Sequence, residues 1–293
     1  MRSALTPVTV LIVTHNSSRT VQQTLEPLRG ADLEVIVVDN ASTDSTAEMV
    51  AGHDGVRLVR SDDNLGFGRG SNLAASHATR ELLLLLNPDC VASTEAIATL
   101  AARLLDEPRL GFVGPQIQKE SGEPDYASLR GDPDPVGALL YVTRVTRLFP
   151  NSPRINRYNL THLDYDREQE LLNGTAGCLM VRASAFHEVG GFDAEFFMYG
   201  EDLDLCRRLR EAGHPGRYVP AARVLHVKGE STRQRSGQML VEFHRAMWVY
   251  YRKHEAASRP AVVNLAVRAG ITALGVTRLA ANALRRDKRV STR

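Results

Sequence analysis

The sequence is poor in cysteine: it has three in 293 residues (Cys90, Cys178 and Cys206), and none belongs to a CxxC pair. This argues against a disulfide framework and a cysteine-rich zinc site, and a reducing compartment is the simplest setting. The chain also lacks an uninterrupted run of 18 apolar residues, which argues against an ordinary transmembrane helix. The apolar stretch at residues 8–13 is too short and too β-branched for a signal peptide.

Net charge is low as well, at +2, but it is unevenly distributed. Residues 252–293 hold ten Lys or Arg and two acids, a net of +8, so residues 1–251 carry −6. A mildly acidic body with a basic tail indicates that the tail meets an anionic partner. Nucleic acid is disfavoured as that partner, because the body is acidic and the chain has no nucleic-acid-binding motif.

Apolar strands and helices alternate over the first 117 residues, in a chain of ordinary globular composition (43% hydrophobic, 24% charged). We predict an α/β fold with a mostly parallel sheet, covered by helices on both faces, because the strands are apolar at successive positions. The predicted strands span residues 8–14, 33–39, 56–60, 81–86 and 110–117, with helices at 18–28, 42–50, 68–77 and 94–105.

Residues 118–170 differ from this pattern, because proline and glycine interrupt them and their periodicity is weak. We predict a long excursion on the acceptor side of the site, with one short helix near 136–148. Strand and helix signals return at 171–181, 183–187 and 201–212. Residues 1–235 are thus predicted to form the catalytic domain, and 236–293 a C-terminal helical extension with helices at 238–254 and 261–286.

Polar residues follow the predicted strands, where a parallel α/β sheet binds its ligands. They are Thr14-His15-Asn16, Asp39-Asn40, Asp62-Asp63-Asn64 and Asn87-Pro88-Asp89. Asn87-Pro88-Asp89 alone is more typical of a turn than of a metal site. His226, after another strand-like run, is by itself more typical of a structural histidine. One Asp and one His would make a sparse metal site, which suits Mg²⁺ or Mn²⁺ completed by substrate phosphates.

Two adjacent acids, Glu201 and Asp202, open a predicted helix. Acids in a first turn stabilise the helix dipole, which is the simplest explanation for them. The apolar segment Phe196–Tyr199 before them would instead place one carboxylate at the edge of a dry pocket, where it could accept a proton from a hydroxyl nucleophile. The adjacent residues point about 100° apart on a helix, so one can face substrate while the other supports it.

The glycine-rich segment at residues 64–72 does not match the dinucleotide-binding spacing GxGxxG, and it follows the third strand instead of the first. A loop that closes over a nucleoside diphosphate, with Arg69 supplying charge, fits it better. A flexible start to a helix is the alternative.

Taken in order, these motifs resemble glycosyltransferase family 2, the inverting nucleotide-sugar glycosyltransferases with the GT-A (Rossmann-like) fold, and bacterial rhamnosyltransferases within it. The resemblance covers roughly residues 8–231. Its motifs are Thr14-His15-Asn16, Val37–Asp44, Asn64-Leu65-Gly66-Phe67, Asn87-Pro88-Asp89, Gly177–Arg182, Val189–Asp193 and Phe197–Leu205.

The resemblance implies a role for each matching position. Asp202 would be the catalytic base, with Glu201 beside it, and Asp89 and His226 would hold Mg²⁺ or Mn²⁺. Asn87 departs from the family's Asp-x-Asp pattern, which argues against a metal ligand at this position but is compatible with a contact to ribose. The positions implied to bind the nucleotide sugar are Thr14, His15, Asn16, Asp39, Asn64, Arg69, Asn72, Asn87 and Asp89.

The function implied is non-processive, inverting transfer of a sugar, best matched by L-rhamnose from dTDP-rhamnose, to a hydroxyl of a glycan or a polyprenyl-diphosphate-linked sugar in bacterial cell-wall or polysaccharide synthesis. A UDP-sugar donor is the nearest alternative. A sugar-phosphate nucleotidyltransferase would carry a Gly-rich, Arg-containing loop after strand one, where this chain has Thr14-His15-Asn16. The non-enzymatic alternative is a nucleotide-sugar-binding module.

The tail has the pattern of a basic amphipathic helix. Asn264, Arg278, Asn282, Arg285, Arg286 and Arg289 share an arc with Arg268, and Val262, Leu265, Ala266, Val276, Ala280 and Leu284 lie opposite. Such a helix is typical of binding to an anionic membrane surface. The alternative is a helix packed on the body with its basic face in solvent. We expect a cytoplasmic protein, peripheral on the cytoplasmic face of the membrane, and leave its oligomeric state open.

Overall fold

The structure is a computed structural model, and it describes residues 5–149, 151–227 and 237–290. The described strands are β1 (Val8–Thr14), β2 (Glu34–Asn40), β3 (Val56–Ser61), β4 (Leu82–Leu86), β5 (Cys90–Ala92), β6 (Phe112–Lys119), β7 (Gln169–Glu170), β8 (Cys178–Arg182) and β9 (Gly216–His226). The described helices are α1 (Val21–Leu25), α2 (Thr46–Ala51), α3 (Phe67–Ser76), α4 (Thr94–Asp106), α5 (Pro135–Val142), α6 (Val145–Leu148), α7 (Ala183–Glu188), α8 (Glu201–Glu211), α9 (Gly237–His254) and α10 (Ala261–Val290).

One mixed sheet organises the body, in the order β3-β2-β1-β4-β8-β6-β9-β5, with β7 beside β9. The strands β3, β2, β1 and β4 are parallel to one another, as predicted. The leucine run of β4 shows why this part is buried on both faces. Leu82, Leu84 and Leu86 belong to one apolar cluster, and Leu83 and Leu85 to the cluster on the other face. The α/β class is thereby confirmed.

The second half of the sheet is mixed in direction. The strand β8 lies between β4 and β6 and is antiparallel to both, whereas β6 and β9 are parallel. The fifth predicted strand is therefore present as β6, but it does not extend the parallel series directly. After the long excursion the chain returns to the sheet and places β8 between β4 and β6. Local sequence patterns do not predict this long-range pairing.

The excursion after β6 carries two short helices where one was predicted. A left-handed residue, Arg144 (φ 62°), separates α5 from α6, and such a backbone cannot continue a right-handed helix. The excursion joins the rest of the chain through Arg130, whose backbone exchanges hydrogen bonds of 3.0 and 3.1 Å with Asn173.

The two C-terminal helices form an antiparallel hairpin. Tyr251 of α9 donates a 2.6 Å hydrogen bond to Asn264 of α10, and the Arg268 guanidinium lies 5.3 Å from the ring centre of Trp248. The predicted domain boundary at residues 235–236 falls in a segment outside the described residues.

The helix α10 has no uninterrupted apolar run of 18 residues, yet it meets a membrane-span criterion based on length and average composition. Its segment Ala261–Leu284 is long and apolar enough to cross a membrane by length and composition, with a mean hydropathy of 1.3. Glycine, threonine and two arginines interrupt the apolar residues of this segment. The search for an uninterrupted apolar run therefore did not identify it as a candidate membrane span.

Candidate active site

The ends of β1 and β2 bring Thr14 and Asp39 together in the protein interior. The two residues are paired in the strand register, and the Thr14 hydroxyl donates a 3.0 Å hydrogen bond to Asp39 Oδ1. Ser42, which sequence reasoning missed, donates to both carboxylate oxygens of Asp39, from its hydroxyl at 2.5 Å and its backbone N–H at 3.1 Å. Asp39 is therefore held in one orientation at the carboxyl edge of the sheet.

The segment after β1 curls towards the segment after β2. Asn16 is left-handed (φ 52°), and its side-chain oxygen accepts a 2.8 Å hydrogen bond from the Thr43 backbone N–H. His15 is exposed, and its Nδ1 lies 2.7 Å from the carbonyl oxygen of Asn40. The predicted group of Thr14, His15, Asn16 and Asp39 thus occupies one edge of the sheet, next to the start of α2.

The glycine-rich loop joins this edge to the start of α8. Asn64 accepts a 2.9 Å hydrogen bond from the Gly66 N–H, and the Phe67 N–H donates a 3.1 Å bond to the Phe197 carbonyl. Gly66 has φ 78°, and a Cβ there would lie 2.2 Å from the Phe197 oxygen, so only glycine fits. The loop is therefore a close-packed support between the two halves of the site.

Arg69 and Asn72, the two residues of α3 that the resemblance implied for nucleotide binding, have different surroundings. Arg69, in its first turn, is exposed. Asn72 donates a 2.8 Å hydrogen bond to the Phe192 carbonyl and accepts one of 2.8 Å from the Phe192 N–H. These two bonds give Asn72 a structural role, because they tie α3 to the segment that leads into α8. The nucleotide contact expected of Arg69 and Asn72 stays a prediction.

Strand pairing brings Asp89 and His226 together. Cys90 of β5 is opposite His226 of β9, and Asp89 Oδ2 lies 3.4 Å from His226 Nε2. The ligand atoms of Asp89, Cys90 and His226 all lie within 4.8 Å of one another. Burial, and then the neighbouring Asp89 carboxylate, raise the pKa of the Cys90 thiol, so Cys90 is a poor metal ligand. A carboxylate oxygen and an imidazole nitrogen are left as the fitting donors.

A short segment before β8 connects Asn87 to the start of α8. The Asn87 N–H donates a 3.0 Å hydrogen bond to the Gly177 carbonyl. Three residues earlier, the Gly174 carbonyl accepts a 2.5 Å bond from Arg130. Gly174 and Gly177 are only three residues apart, so one short segment contacts both the Asn87 turn and Arg130.

Asp202 is in a buried ion pair that the sequence did not predict. Its Oδ2 lies 2.5 Å from the Arg130 guanidinium, and its Oδ1 accepts a 2.8 Å hydrogen bond from the Leu203 N–H. Burial alone would lower the pKa of Arg130, but its interactions with Asp202 and Tyr158 together outweigh burial and raise it. Arg130 therefore stays charged and orients Asp202 from the excursion side.

Glu201 differs from its neighbour in environment. Burial, and then repulsion from Asp202, raise its pKa to about 8. Its Oε2 is buried without a hydrogen-bond partner among the described residues. Glu201 is therefore protonated at neutral pH, and the two adjacent acids carry different charges.

The apolar segment before α8 only partly forms the wall that was predicted. Phe196 is buried, but it packs with Leu203 of α8 and Ala246 of α9, and Tyr199 is exposed. Tyr199 (φ 71°) and Gly200 (φ 79°) are consecutive left-handed residues that turn the chain into α8. A bulky residue in this conformation is uncommon and marks a constrained turn.

Arg130 and Ser42 are the site residues that sequence reasoning missed. Ser42 was predicted to begin the helix at residues 42–50, yet α2 begins only at Thr46. Arg130 could be suspected from the sequence only because it lies in the excursion. Its partner Asp202 is 72 residues away, so no local pattern links the two.

Comparison with known proteins identifies close sequence relatives. Residues 9–190 match the family described as Glycosyl transferase family 2, and residues 155–230 match the N-terminal domain of galactosyltransferase. The chain is 31% identical over 270 residues to the N-acetylglucosaminyl-diphospho-decaprenol L-rhamnosyltransferase of Mycobacterium tuberculosis, covering 88% of this chain and 86% of that one. It is 29% identical to the rhamnosyltransferase WbbL of Escherichia coli K12, covering 75% and 83%.

Solved structures share the fold at lower identity. The mannosyltransferase PcManGT of Pyrobaculum calidifontis, in complex with GDP-Man and Mn²⁺, superposes with a TM-score of 0.57 at 16% identity, covering 98% of this chain and 81% of that one. TarS 1-349 of S. aureus, in complex with UDP-GlcNAc, gives 0.57 at 17% identity, covering 90% and 71%. These likenesses confirm the GT-A fold.

Proposed function

Because the chain belongs to glycosyl transferase family 2 and is a glycosyltransferase, we propose that it moves L-rhamnose from dTDP-rhamnose to a sugar hydroxyl on a polyprenyl-diphosphate carrier. The observation that carries the proposal is the 31% identity, over nearly the whole of both chains, to a relative named for this activity. A UDP-sugar donor is the second candidate, favoured by the fold shared with TarS bound to UDP-GlcNAc.

Asp202 is the proposed base for a single displacement. Its two oxygens each accept a hydrogen bond from within the protein, and a carboxylate has further lone pairs to receive the acceptor's proton. Glu201, protonated at neutral pH, cannot take that proton and can donate a hydrogen bond instead.

Asp89 and His226 are the proposed ligands of Mn²⁺ or Mg²⁺. Their oxygen and nitrogen donors are 3.4 Å apart, which suits two ligands in the shell of one ion. The metal, when bound, would offset the charge of the departing diphosphate. Thr14 and Asp39 would hold the nucleoside, and Arg69 on the exposed first turn of α3 would meet the diphosphate.

The acceptor implies a place of action. A polyprenyl-linked sugar is embedded in a lipid bilayer, so we propose that the protein works in the cytoplasm, peripherally at the membrane surface.

Transfer from a panel of donors tests the proposal. We expect product from dTDP-rhamnose with Mn²⁺ or Mg²⁺ and a short-chain prenyl-diphosphate-linked GlcNAc, and none or little from UDP- and GDP-sugars. Product from a UDP-sugar but not from dTDP-rhamnose would reject the donor assignment. Failure of every donor, with a lipid-linked acceptor present, would reject the proposed transfer.

Matched variants test the assigned residues. Asp202→Asn should reduce transfer by about 10²-fold or more while the donor still raises the melting temperature. Asp89→Asn should weaken Mn²⁺-dependent binding of dTDP, measured by calorimetry. The control is Asp193→Asn, whose carboxylate pairs with Lys253 of α9. This variant should retain both sugar transfer and Mn²⁺-dependent binding of dTDP. Donor binding lost together with transfer in Asp202→Asn would indicate a structural role.

A further inference from the structure

The helix α10 presents an apolar face that the rest of the described chain leaves uncovered. Val262, Leu265, Val276 and Leu284 are between 60% and 72% exposed. Between Ala261 and Leu284 the sequence has no acid and only two charged residues, Arg268 and Arg278. At 1.5 Å per residue these 24 positions extend over about 36 Å, a long surface for a monomer to leave apolar.

The opposite, more polar arc of α10 faces α9. Asn264 accepts a hydrogen bond from Tyr251, and the Arg268 guanidinium lies against Trp248. A Cβ on Gly275 would lie 3.3 Å from the His244 ring, so the helices are close there. The alternative in the sequence analysis was a helix that packs on the body through its apolar side and leaves its basic side in solvent. The contacts of α10 with α9 show the opposite orientation. The side chains of Arg285, Arg286 and Arg289 are outside the described residues.

The helix α9 in turn is fastened to the helix that carries Glu201 and Asp202. Lys253 Nζ and His254 Nε2 each lie 2.8 Å from Asp204 Oδ1, and Asp204 is fully buried in the first turn of α8. Arg207 of α8 reaches Glu255, just beyond α9, at 2.9 Å. The exposed face of α10 is therefore held at a set position relative to the candidate active site.

We propose that the exposed face of α10 binds an anionic lipid bilayer, with the helix lying in the plane of the membrane interface. The lipid-binding surface follows from the exposed residues of α10 and its contacts with α9, and only its use in reaching a lipid-linked acceptor rests on the proposed function. Its apolar residues match the acyl boundary. Residues 259–293, with eight Lys or Arg and one acid, match anionic head groups.

Two other placements fit the described contacts less well. A membrane-spanning α10 would have to leave α9, because α9 carries charged residues such as Lys253 that are bound to the body. A second copy of the chain would bring two strongly basic segments together, whereas anionic head groups neutralise them. The in-plane position keeps every α9 contact and covers the apolar side chains.

Co-sedimentation of the purified full chain with vesicles tests the proposal. We compare phosphatidylcholine vesicles with vesicles that also contain phosphatidylglycerol. The variant Val262→Gln/Leu265→Gln/Val276→Gln changes only exposed positions, and glutamine is a good helix former, so the fold is kept. The matched single variants are Leu265→Gln on α10 and Leu105→Gln, an exposed leucine on α4.

The wild type and Leu105→Gln should bind the anionic vesicles, and the triple variant should bind at least about tenfold more weakly. Leu265→Gln should fall between them. Unchanged binding by the triple variant would overturn the proposal, as would binding that resists alkaline carbonate extraction, which indicates a spanning helix. A wild-type dimer that the triple variant converts to a monomer, without any vesicle binding, would show that a second copy occupies the face.

Donor-dependent thermal stabilisation, measured on the same preparations, separates this inference from the proposed function. Vesicle binding lost in the triple variant, with stabilisation by dTDP-rhamnose retained, supports lipid as the occupant. A wild type that binds vesicles but transfers no sugar would refute the proposed function and leave the lipid-binding surface supported.

Discussion

At the scale of single residues, environment distinguishes acids that the sequence presents as equivalent. Glu201 and Asp202 are adjacent and equally buried, yet only Asp202 has a cationic partner, Arg130. The Glu201 carboxyl group takes the protonated form, because burial and repulsion from Asp202 outweigh the attraction of Arg130. The family resemblance pointed to both acids, and the excursion supplies Arg130 as an ion-pair partner to only one of them.

The pH dependence of stability should show the protonated state of Glu201. Its pKa is raised from 4.5 to about 8, so the folded state keeps a proton that the unfolded chain releases. The free energy of unfolding of the wild type should therefore fall as pH rises from about 5 to 8, by about 3 kcal/mol relative to Glu201→Gln.

Urea denaturation of both proteins across this range measures the difference, which should level off above pH 8. The exposed control Glu211→Gln should follow the wild-type profile. Parallel profiles of wild type and Glu201→Gln would mean that Glu201 is ionised in the folded protein.

At the scale of elements, the start of α8 connects the glycine-rich loop, the excursion and α9. The Gly66 loop packs against the segment before it, and Arg130 contacts its second residue. Its fourth residue, Asp204, accepts contacts from Arg208, Lys253 and His254. Burial would raise the pKa of Asp204, but the hydrogen bonds from His254 and Lys253 lower it to about 2.

Removing the Asp204 carboxylate should loosen α9 from α8. Asp204→Asn should lower the free energy of unfolding by about 3 kcal/mol, because Lys253 and Arg208 lose their buried counter-charge. The control Glu211→Gln removes an exposed acid on the same helix that pairs with Arg207. It should lower the free energy of unfolding by less than about 1 kcal/mol. Urea denaturation at neutral pH measures both, and similar values for the two variants would contradict the anchoring role.

At the scale of the whole molecule, the helical extension is integrated with the sheet-containing body. Phe196 and Leu203 of the body form one apolar cluster with Ala246, Val249 and Tyr250 of α9. Together with the Asp204 contacts, this cluster makes separate unfolding of the hairpin costly. The body and the predicted extension should therefore unfold together.

Trp248, the single tryptophan, lies at the contact of α9 with α10 and reports on this hairpin. We expect its fluorescence transition in urea to coincide with the far-UV circular dichroism transition of the whole chain. Arg268→Gln, which removes the cation beside the indole, is the control for the fluorescence signal. A tryptophan transition that comes clearly earlier would show that the hairpin is an independent unit.

The sequence alone determined the elements and the chemistry of the strand ends. Apolar runs such as Leu82–Leu86 can be satisfied only by burial on both faces, and the motifs that contain Asp39, Asp89 and Asp202 identified the family. The structure decided which distant groups meet: β8 between β4 and β6, Arg130 against Asp202, and the polar arc of α10 against α9. These contacts join residues far apart in the chain, where tertiary packing selects among arrangements that local patterns leave equal in energy.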